Sequence, residues 1–116
     1  VISAAGDLAA RYVIHAVGPV WGGGHRGEGE LLAGAYRRSL ELAAEHECRS
    51  IALPALSTGA YRYPLDQASR VALGTAITFL LGEQPALPEL VRFVLFDAGA
   101  YGAFAAALEE LTADRT

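Results

Sequence analysis

Residues 50–64 read Ser50-Ile-Ala-Leu-Pro-Ala-Leu-Ser-Thr-Gly-Ala-Tyr-Arg-Tyr-Pro64. A short apolar strand leads here into a turn of small residues, and Pro64 suits the first turn of a following helix. Such a turn aims backbone N–H groups, hydroxyls and the positive end of a helix dipole at one place, which binds phosphate without a lysine. Ser57, Thr58 and Gly59 leave the backbone accessible, and Gly59 can take the positive φ that a tight turn often needs. Small residues also form ordinary strand-to-helix turns, so the local pattern leaves both interpretations open.

Apolar runs on either side of this stretch predict further strands and helices. Strands are predicted at residues 12–17, 50–53 and 90–96, with the tail of another at residues 1–2. Helices are predicted at residues 30–46 and 65–81 and after Asp97. The first two full strands lack polar alternation, which is typical of strands covered on both faces. The alternation of strands and helices predicts one α/β domain over residues 1–116, with mostly parallel strands and right-handed crossovers.

The composition excludes several kinds of function. The net charge of −4 argues against a nucleic-acid partner bound through its phosphates. All nine basic residues are arginine, so there is neither a Schiff-base lysine nor a P-loop lysine. Cys48 is the only cysteine, and His15, His25 and His46 lack metal-ligand spacing, so neither an intrachain disulfide nor a metal site is predicted. No membrane helix or signal peptide is recognised, and we expect a cytoplasmic protein without a membrane partner.

Ligands of open parallel sheets bind at the carboxyl ends of the strands, and three segments of this chain are predicted to meet there. They are residues 18–19, 57–61 and 96–97. Tyr61 offers a flat face and a hydroxyl to a sugar, and Phe96 can stack on a base or pack in the core. Asp97 can bind a ribose hydroxyl or cap the last helix, and His15 fits a buried core position. The loop at residues 19–29 matches no phosphate-binding glycine motif and is predicted to be a mobile surface connection.

Three segments together resemble the macro domain family. They are RYVIHAVGP at residues 11–19, SIALPALSTGAYRYP at 50–64 and VLFD at 94–97. The resemblance runs over essentially the whole chain, and its central motif is highly specific. It implies binding of ADP-ribose or an ADP-ribosylated protein, without a cofactor. The form of the central motif is similar to that of members that hydrolyse ADP-ribosyl bonds or deacetylate O-acetyl-ADP-ribose.

The resemblance also implies roles for individual residues. The ligand-binding residues would be Ser57, Thr58, Gly59, Ala60 and Tyr61 around the diphosphate and distal ribose, and Phe96 at the adenine. Gly59 and Tyr61 would also serve as orienting residues in catalysis. Members of the family often have glycine after the tyrosine, where this chain has Arg62, which is expected to narrow or charge the rim.

The resemblance covers only the later part of a macro domain. Members open with two strands, an adenine-binding Asp, an Asn-bearing segment and a Gly-rich loop leading into a helix, and none of these precedes Val1. The expected fold is therefore a three-layer α/β/α macro domain that lacks its N-terminal strands and first helix. One missing strand would lie between strands 12–17 and 50–53. We expect the remainder to precede Val1 in the gene product or to be supplied as a separate chain, and this chain alone to be inactive.

Three functions stay open at this point. The intact protein is a hydrolase or deacetylase of ADP-ribose derivatives, a reader that binds ADP-ribose without turnover, or a generic nucleotide-binding α/β domain. The Asn and Gly-rich loop that would separate the first two lie outside these residues, so no catalytic residue is named. Relative affinities for ADP-ribose, AMP and NAD would identify the third.

Overall fold

The protein is an α/β chain of four short strands and three helices in the part that the structure describes. The computed structural model describes residues 2–4, 12–14, 16–58, 61–82, 88–95 and 97–113. Its elements are β1 (Ile2–Ala4), β2 (Tyr12–Ile14), α1 (Glu28–Glu45), β3 (Ser50–Leu53), α2 (Leu65–Leu80), β4 (Leu90–Phe93) and α3 (Ala98–Thr112). The predicted fold class and the order of these elements are confirmed. The predicted strands 12–17 and 90–96 are shorter than expected, and α1 begins two residues before the predicted residue 30.

The strands form two two-stranded sheets. Strands β3 and β4 are parallel, with Ser50 opposite Leu90 and Leu53 opposite Phe93. Strands β1 and β2 are antiparallel, which differs from the parallel arrangement expected of most strands. The reason is the length of the connection, because a parallel crossover needs about a dozen residues and the segment between β1 and β2 is shorter.

No ladder joins β2 to β3 among the described residues. The sequence resemblance implies a further strand between these two, and that strand stays a prediction. Val94 continues past β4 and donates its backbone N–H to the carbonyl of Leu53 at 2.8 Å. This bond holds the ends of β3 and β4 together at the edge where ligands of parallel sheets bind.

The core lies on one face of β3 and β4. Side chains of the two strands alternate between this face, which contacts the helices, and the opposite face, which is exposed. The buried apolar core consists of Leu32, Tyr36, Leu40, Leu53, Tyr63, Ala68, Ala72, Leu73, Ala76, Phe104 and Ala107. Ala52 is exposed, so the described residues cover β3 on one face, and coverage of the other face stays a prediction. A continuous apolar run does not report which face the helices occupy, because that depends on how the chain packs.

Helix α3 begins as predicted. The carboxylate Oδ1 of Asp97 accepts a hydrogen bond from the backbone N–H of Ala100 at 2.7 Å. This hydrogen bond satisfies one of the free amides at the helix start, and the positive end of the helix dipole stabilises the negative charge of the carboxylate. Of the two roles considered for Asp97, the structure shows the helix cap.

Replacing Asp97 with alanine is therefore expected to lower the free energy of unfolding by about 1 kcal/mol, since the Ala100 amide loses its acceptor. Urea denaturation measures the effect. Asp66→Ala is a matched control, because the Asp66 side chain lies in the first turn of α2 and, among the described residues, makes only an exposed ion pair with Arg70. We expect the control to change stability by less than about 0.5 kcal/mol. Equal effects of the two substitutions would contradict the assignment of the cap.

Candidate ligand site

The turn after β3 has a strained backbone. Ser57 has φ of 68° and Arg62 has φ of 61°, so both non-glycine residues lie in the left-handed region. The backbone N–H of Tyr63 donates to the carbonyl of Ser57 at 2.8 Å and closes the turn. The positive φ at Arg62 gives a physical reason for the glycine that the resemblance leads one to expect at this position.

Ser57 carries an unused polar group. Its Oγ is buried and has no hydrogen-bond partner among the described residues. Thr58 differs, because its hydroxyl donates to the carbonyl of Ala55 at 2.9 Å and so stabilises the turn itself. Buried polar atoms are normally paired, so a hydroxyl without a partner is a candidate for binding a ligand oxygen.

The other predicted ligand-binding residues are described only in part. The side chain of Tyr61 is 39% exposed and is accessible to a ligand. Gly59, Ala60 and Phe96 lie outside the described residues, as does His15. The predicted roles of all six site residues therefore stay predictions, and the structure brings Ser57, Thr58 and Tyr61 together on one turn.

Tyr36 of α1 holds the end of β3 in place. Its hydroxyl donates to the carbonyl of Pro54 at 2.7 Å and accepts from the backbone N–H of Leu56 at 2.8 Å. Burial raises the pKa of Tyr36 to about 12, although the Leu56 amide acts in the opposite direction. The hydroxyl is therefore protonated at neutral pH and can donate and accept at once. The sequence pattern predicted only that Tyr36 lies on the buried face of the helix. Because the hydroxyl of a buried tyrosine usually has a hydrogen-bond partner, this position was the one indication in the sequence that Tyr36 binds another segment.

The loop before α1 is folded around the carboxylate of Glu28. Glu28 is buried, and its Oε2 accepts from the backbone N–H groups of Gly22 at 2.8 Å and Gly24 at 2.9 Å. Its Oε1 accepts from the N–H of Arg26 at 2.7 Å. The prediction that this loop is a surface connection is confirmed, and its predicted mobility stays a prediction. The hydrogen bonds to Glu28 add to that prediction. The sequence pattern could not show this, because a glutamate that begins a helix is usually solvated.

The same loop contacts the turn after β3. The backbone N–H of Trp21 donates to the carbonyl of Tyr61 at 2.8 Å. The Trp21 ring packs on the ring of Tyr63, with 4.7 Å between centroids. Burial, followed by the charge of Glu28, raises the pKa of Tyr63. The loop before α1 and the turn after β3 are distant along the chain but therefore lie against each other.

The model of one family matches this chain over residues 1–72, and its description is macro domain. The chain belongs to the macro domain family. A macro domain-containing protein of Mesorhizobium japonicum is 58% identical over 90 residues, which cover 78% of this chain and 50% of that protein. The O-acetyl-ADP-ribose deacetylase of Klebsiella pneumoniae is 54% identical over 97 residues, which cover 84% of this chain and 54% of the enzyme.

Solved macro domains share the fold. A mutant of the Oceanobacillus iheyensis macrodomain, solved with ADPR, matches with a TM-score of 0.87 and 39% identity over 96% of this chain and 58% of that one. The resemblance to the family is thus confirmed. This macro domain chain spans about half the length of the curated relatives described above.

The described part of this macro domain chain has no clusters of three or more His, Cys, Asp or Glu residues that could hold a metal ion. In the same residues, no helix combines the length and the apolar character needed to cross a membrane.

The buried carboxylate of Glu28 is expected to make the stability of this macro domain chain depend on pH. The pKa of Glu28 falls from 4.5 to about 2, mainly through the Gly24 N–H; burial opposes this, and the N–H groups of Arg26 and Gly22 add to it. Because the folded pKa lies below the ordinary one, the stabilisation is complete above pH 4.5 and is lost as the pH falls towards about 2.

We therefore expect the free energy of unfolding to fall more steeply over this pH range in the wild type than in Glu28→Gln. Urea denaturation at a series of pH values gives the two slopes. The other carboxylates titrate in both proteins, so the difference isolates Glu28. Parallel slopes would contradict the prediction.

Proposed function

We propose that the protein containing this chain binds ADP-ribose, with its diphosphate at the turn formed by residues 57–61. The observation that carries the proposal is the likeness to the Oceanobacillus iheyensis macrodomain solved with ADPR, at a TM-score of 0.87. In the turn, the unpartnered Ser57 hydroxyl offers a hydrogen bond to a phosphate oxygen. The half-exposed ring of Tyr61 is suited to lie against the distal ribose.

The chemistry of this turn fits the charge of the chain. The chain has a net charge of −4 and no lysine, and we propose that amides, hydroxyls and the dipole of α2, which begins at Leu65, bind the dianion. Pro64 precedes that helix. Proline has no backbone N–H, and none is needed there, since the first amides of a helix have no intrahelical partner. The family role of Phe96 at the adenine is part of the same proposal.

Calorimetry on the full gene product tests the binding. ADP-ribose is expected to bind more tightly than AMP or NAD, because only ADP-ribose offers a diphosphate with a free distal ribose. Ser57→Ala should weaken ADP-ribose binding about tenfold, which corresponds to the loss of one hydrogen bond to a charged group. Ser50→Ala is the control, since Ser50 is exposed at the start of β3. A preference for AMP or NAD would favour a generic nucleotide-binding domain instead.

We further propose that the full protein hydrolyses an ADP-ribose derivative, and O-acetyl-ADP-ribose is the first substrate to test. The support is the name of the Klebsiella pneumoniae relative, which is 54% identical over 97 residues. In this reaction water adds to the acetyl carbon, the bond from that carbon to the ribose oxygen breaks, and acetate and ADP-ribose are released. Gly59 and Tyr61 would orient the substrate and the attacking water.

Mass spectrometry of the products distinguishes an enzyme from a reader. Release of ADP-ribose from O-acetyl-ADP-ribose or from an ADP-ribosylated protein would support hydrolysis. Tight binding of ADP-ribose with no release from either substrate would favour a reader.

We also propose that the adenine-binding Asp, the Asn-bearing segment and the Gly-rich loop of the family are supplied by residues outside this chain, on the same gene product or on a second chain. The support is that the chain spans only about half of the relatives that share its motif. The 116-residue chain and the full gene product can be compared by intact mass, cooperative unfolding and ADP-ribose binding. Cooperative unfolding and full binding by the 116 residues alone would overturn this proposal.

A further inference from the structure

A buried carboxylate determines the shape of the loop beside the ligand site. Glu28 is 2% exposed, although it is a charged residue in the first turn of a helix. Its two oxygens accept from three amides of a single short loop, those of Gly22, Gly24 and Arg26. A buried charge is tolerated when it is fully hydrogen-bonded, and the amides in turn lose their acceptor if the carboxylate is removed.

The backbone of this loop depends on positive φ angles. Gly23, Gly24 and Gly27 have φ of 98°, 88° and 72°. Glycine reaches these angles at little steric cost, so the loop can curl around one acceptor and present several amides to it. The hydrogen bonds to the carboxylate restrict the conformational freedom that the glycines give to the loop.

Trp21 lies immediately before these glycines in the loop and contacts the ligand turn in two ways. Its N–H binds the carbonyl of Tyr61, and its ring packs on Tyr63. Tyr63 in turn donates its N–H to the carbonyl of Ser57. Both sides of the turn are therefore connected to Trp21, one by a hydrogen bond and the other through a ring contact.

We infer that Glu28 is a positioning residue for the ligand turn, which it holds through the loop and Trp21. The inference rests on the proposed function, because the turn is the proposed ADP-ribose site. Glu28 itself is buried behind the loop, and its effect on the ligand passes through the Trp21 N–H and the Tyr61 carbonyl.

The matched substitution is Glu28→Gln. Glutamine keeps the size, but its side-chain nitrogen is a donor and cannot accept from the loop amides. ADP-ribose affinity of the full gene product is expected to fall about tenfold, which is about 1.4 kcal/mol. Trp21 is the only tryptophan in the 116 residues, and its emission is expected to shift to longer wavelength as the loop opens to water. Subtracting the spectrum of Trp21→Phe isolates this signal in the full gene product.

Leu40→Ala is the control for a purely structural effect. Leu40 is fully buried on the same helix, and its truncation is expected to destabilise the protein through the cavity that it leaves. Measured at a temperature where the protein is folded, this variant should retain both the ADP-ribose affinity and the Trp21 emission of the wild type. If Glu28→Gln does not fold, Glu28→Asp provides the test, since it keeps the charge but is too short to reach all three amides.

The outcomes separate the inference from the proposed function. If the wild type binds ADP-ribose and a folded Glu28 variant binds equally well with unchanged Trp21 emission, the positioning role is overturned and the proposed function stands. A loss of affinity in Leu40→Ala equal to that in Glu28→Gln would also overturn the role. If the wild type does not bind ADP-ribose, the proposed function fails and the inference fails with it.

Discussion

Replacing Tyr36 with phenylalanine should lower the free energy of unfolding by about 2 kcal/mol. The hydroxyl binds the carbonyl of Pro54 and the N–H of Leu56 at once, and its removal leaves these two backbone groups only the 3.1 Å hydrogen bond between them. The loss of one ordinary hydrogen bond costs about 0.5–1.5 kcal/mol, and two are lost here. Because both groups lie between β3 and the ligand turn, we also expect that turn to bind ADP-ribose less tightly in the full gene product. Urea denaturation and calorimetry measure the two effects.

Tyr101→Phe is the matched control for the same chemical change. Tyr101 lies on α3 and is 68% exposed, so water can solvate its hydroxyl. We expect a change of less than about 0.5 kcal/mol for this variant. A similarly small change in Tyr36→Phe would show that the two hydrogen bonds contribute little to stability.

Replacing Gly18 with alanine should disturb the ligand turn directly. A Cβ at this position would overlap the Oγ of Ser57 and would lie 3.5 Å from the Cβ of Leu56. Ser57 has to move to make room, and overpacking of this kind costs about 2 kcal/mol. We expect ADP-ribose affinity to fall at least about tenfold, because the displaced hydroxyl is the one proposed to bind a phosphate oxygen.

A double substitution tests the stated cause of this effect. Gly18→Ala combined with Ser57→Ala removes the atom that the new methyl group overlaps, so stability should recover while ADP-ribose binding stays weak. Gly74→Ala is the control for a general effect of alanine, since a Cβ there meets no atom within 4 Å. Gly74 lies inside α2, and its replacement is expected to stabilise the protein by about 1 kcal/mol. If the double variant is no more stable than Gly18→Ala, the overlap is not the cause.

The local features of the fold could be predicted because each depends on residues close in sequence. The apolar run 50–53 predicted β3, and helical periodicity predicted α1 and α2 to within two residues at each end. The cap at Asp97 follows the same rule, because the carboxylate and the Ala100 amide that it accepts from are three residues apart. The motif of residues 50–64 also predicted the family, which the match over residues 1–72 confirmed.

The direction of the first strand pair required more than the pattern of apolar residues. Apolar runs predict that strands exist, but they carry no information on the direction of a neighbour. The antiparallel pairing of β1 with β2 follows from the connection between them, which is too short for a parallel crossover.

The amino-acid sequence by itself determined the secondary structure, the cap of α3 and the chemical character of the turn after β3. These depend on interactions within a few residues. Only the tertiary structure decided that the Tyr36 hydroxyl holds Leu56 from twenty residues away, and that Trp21 binds the Tyr61 carbonyl. It also decided that Ser57 Oγ is buried without a partner in the described residues. These are contacts between segments distant along the chain, and their geometry exists only once the helices have packed on the sheet.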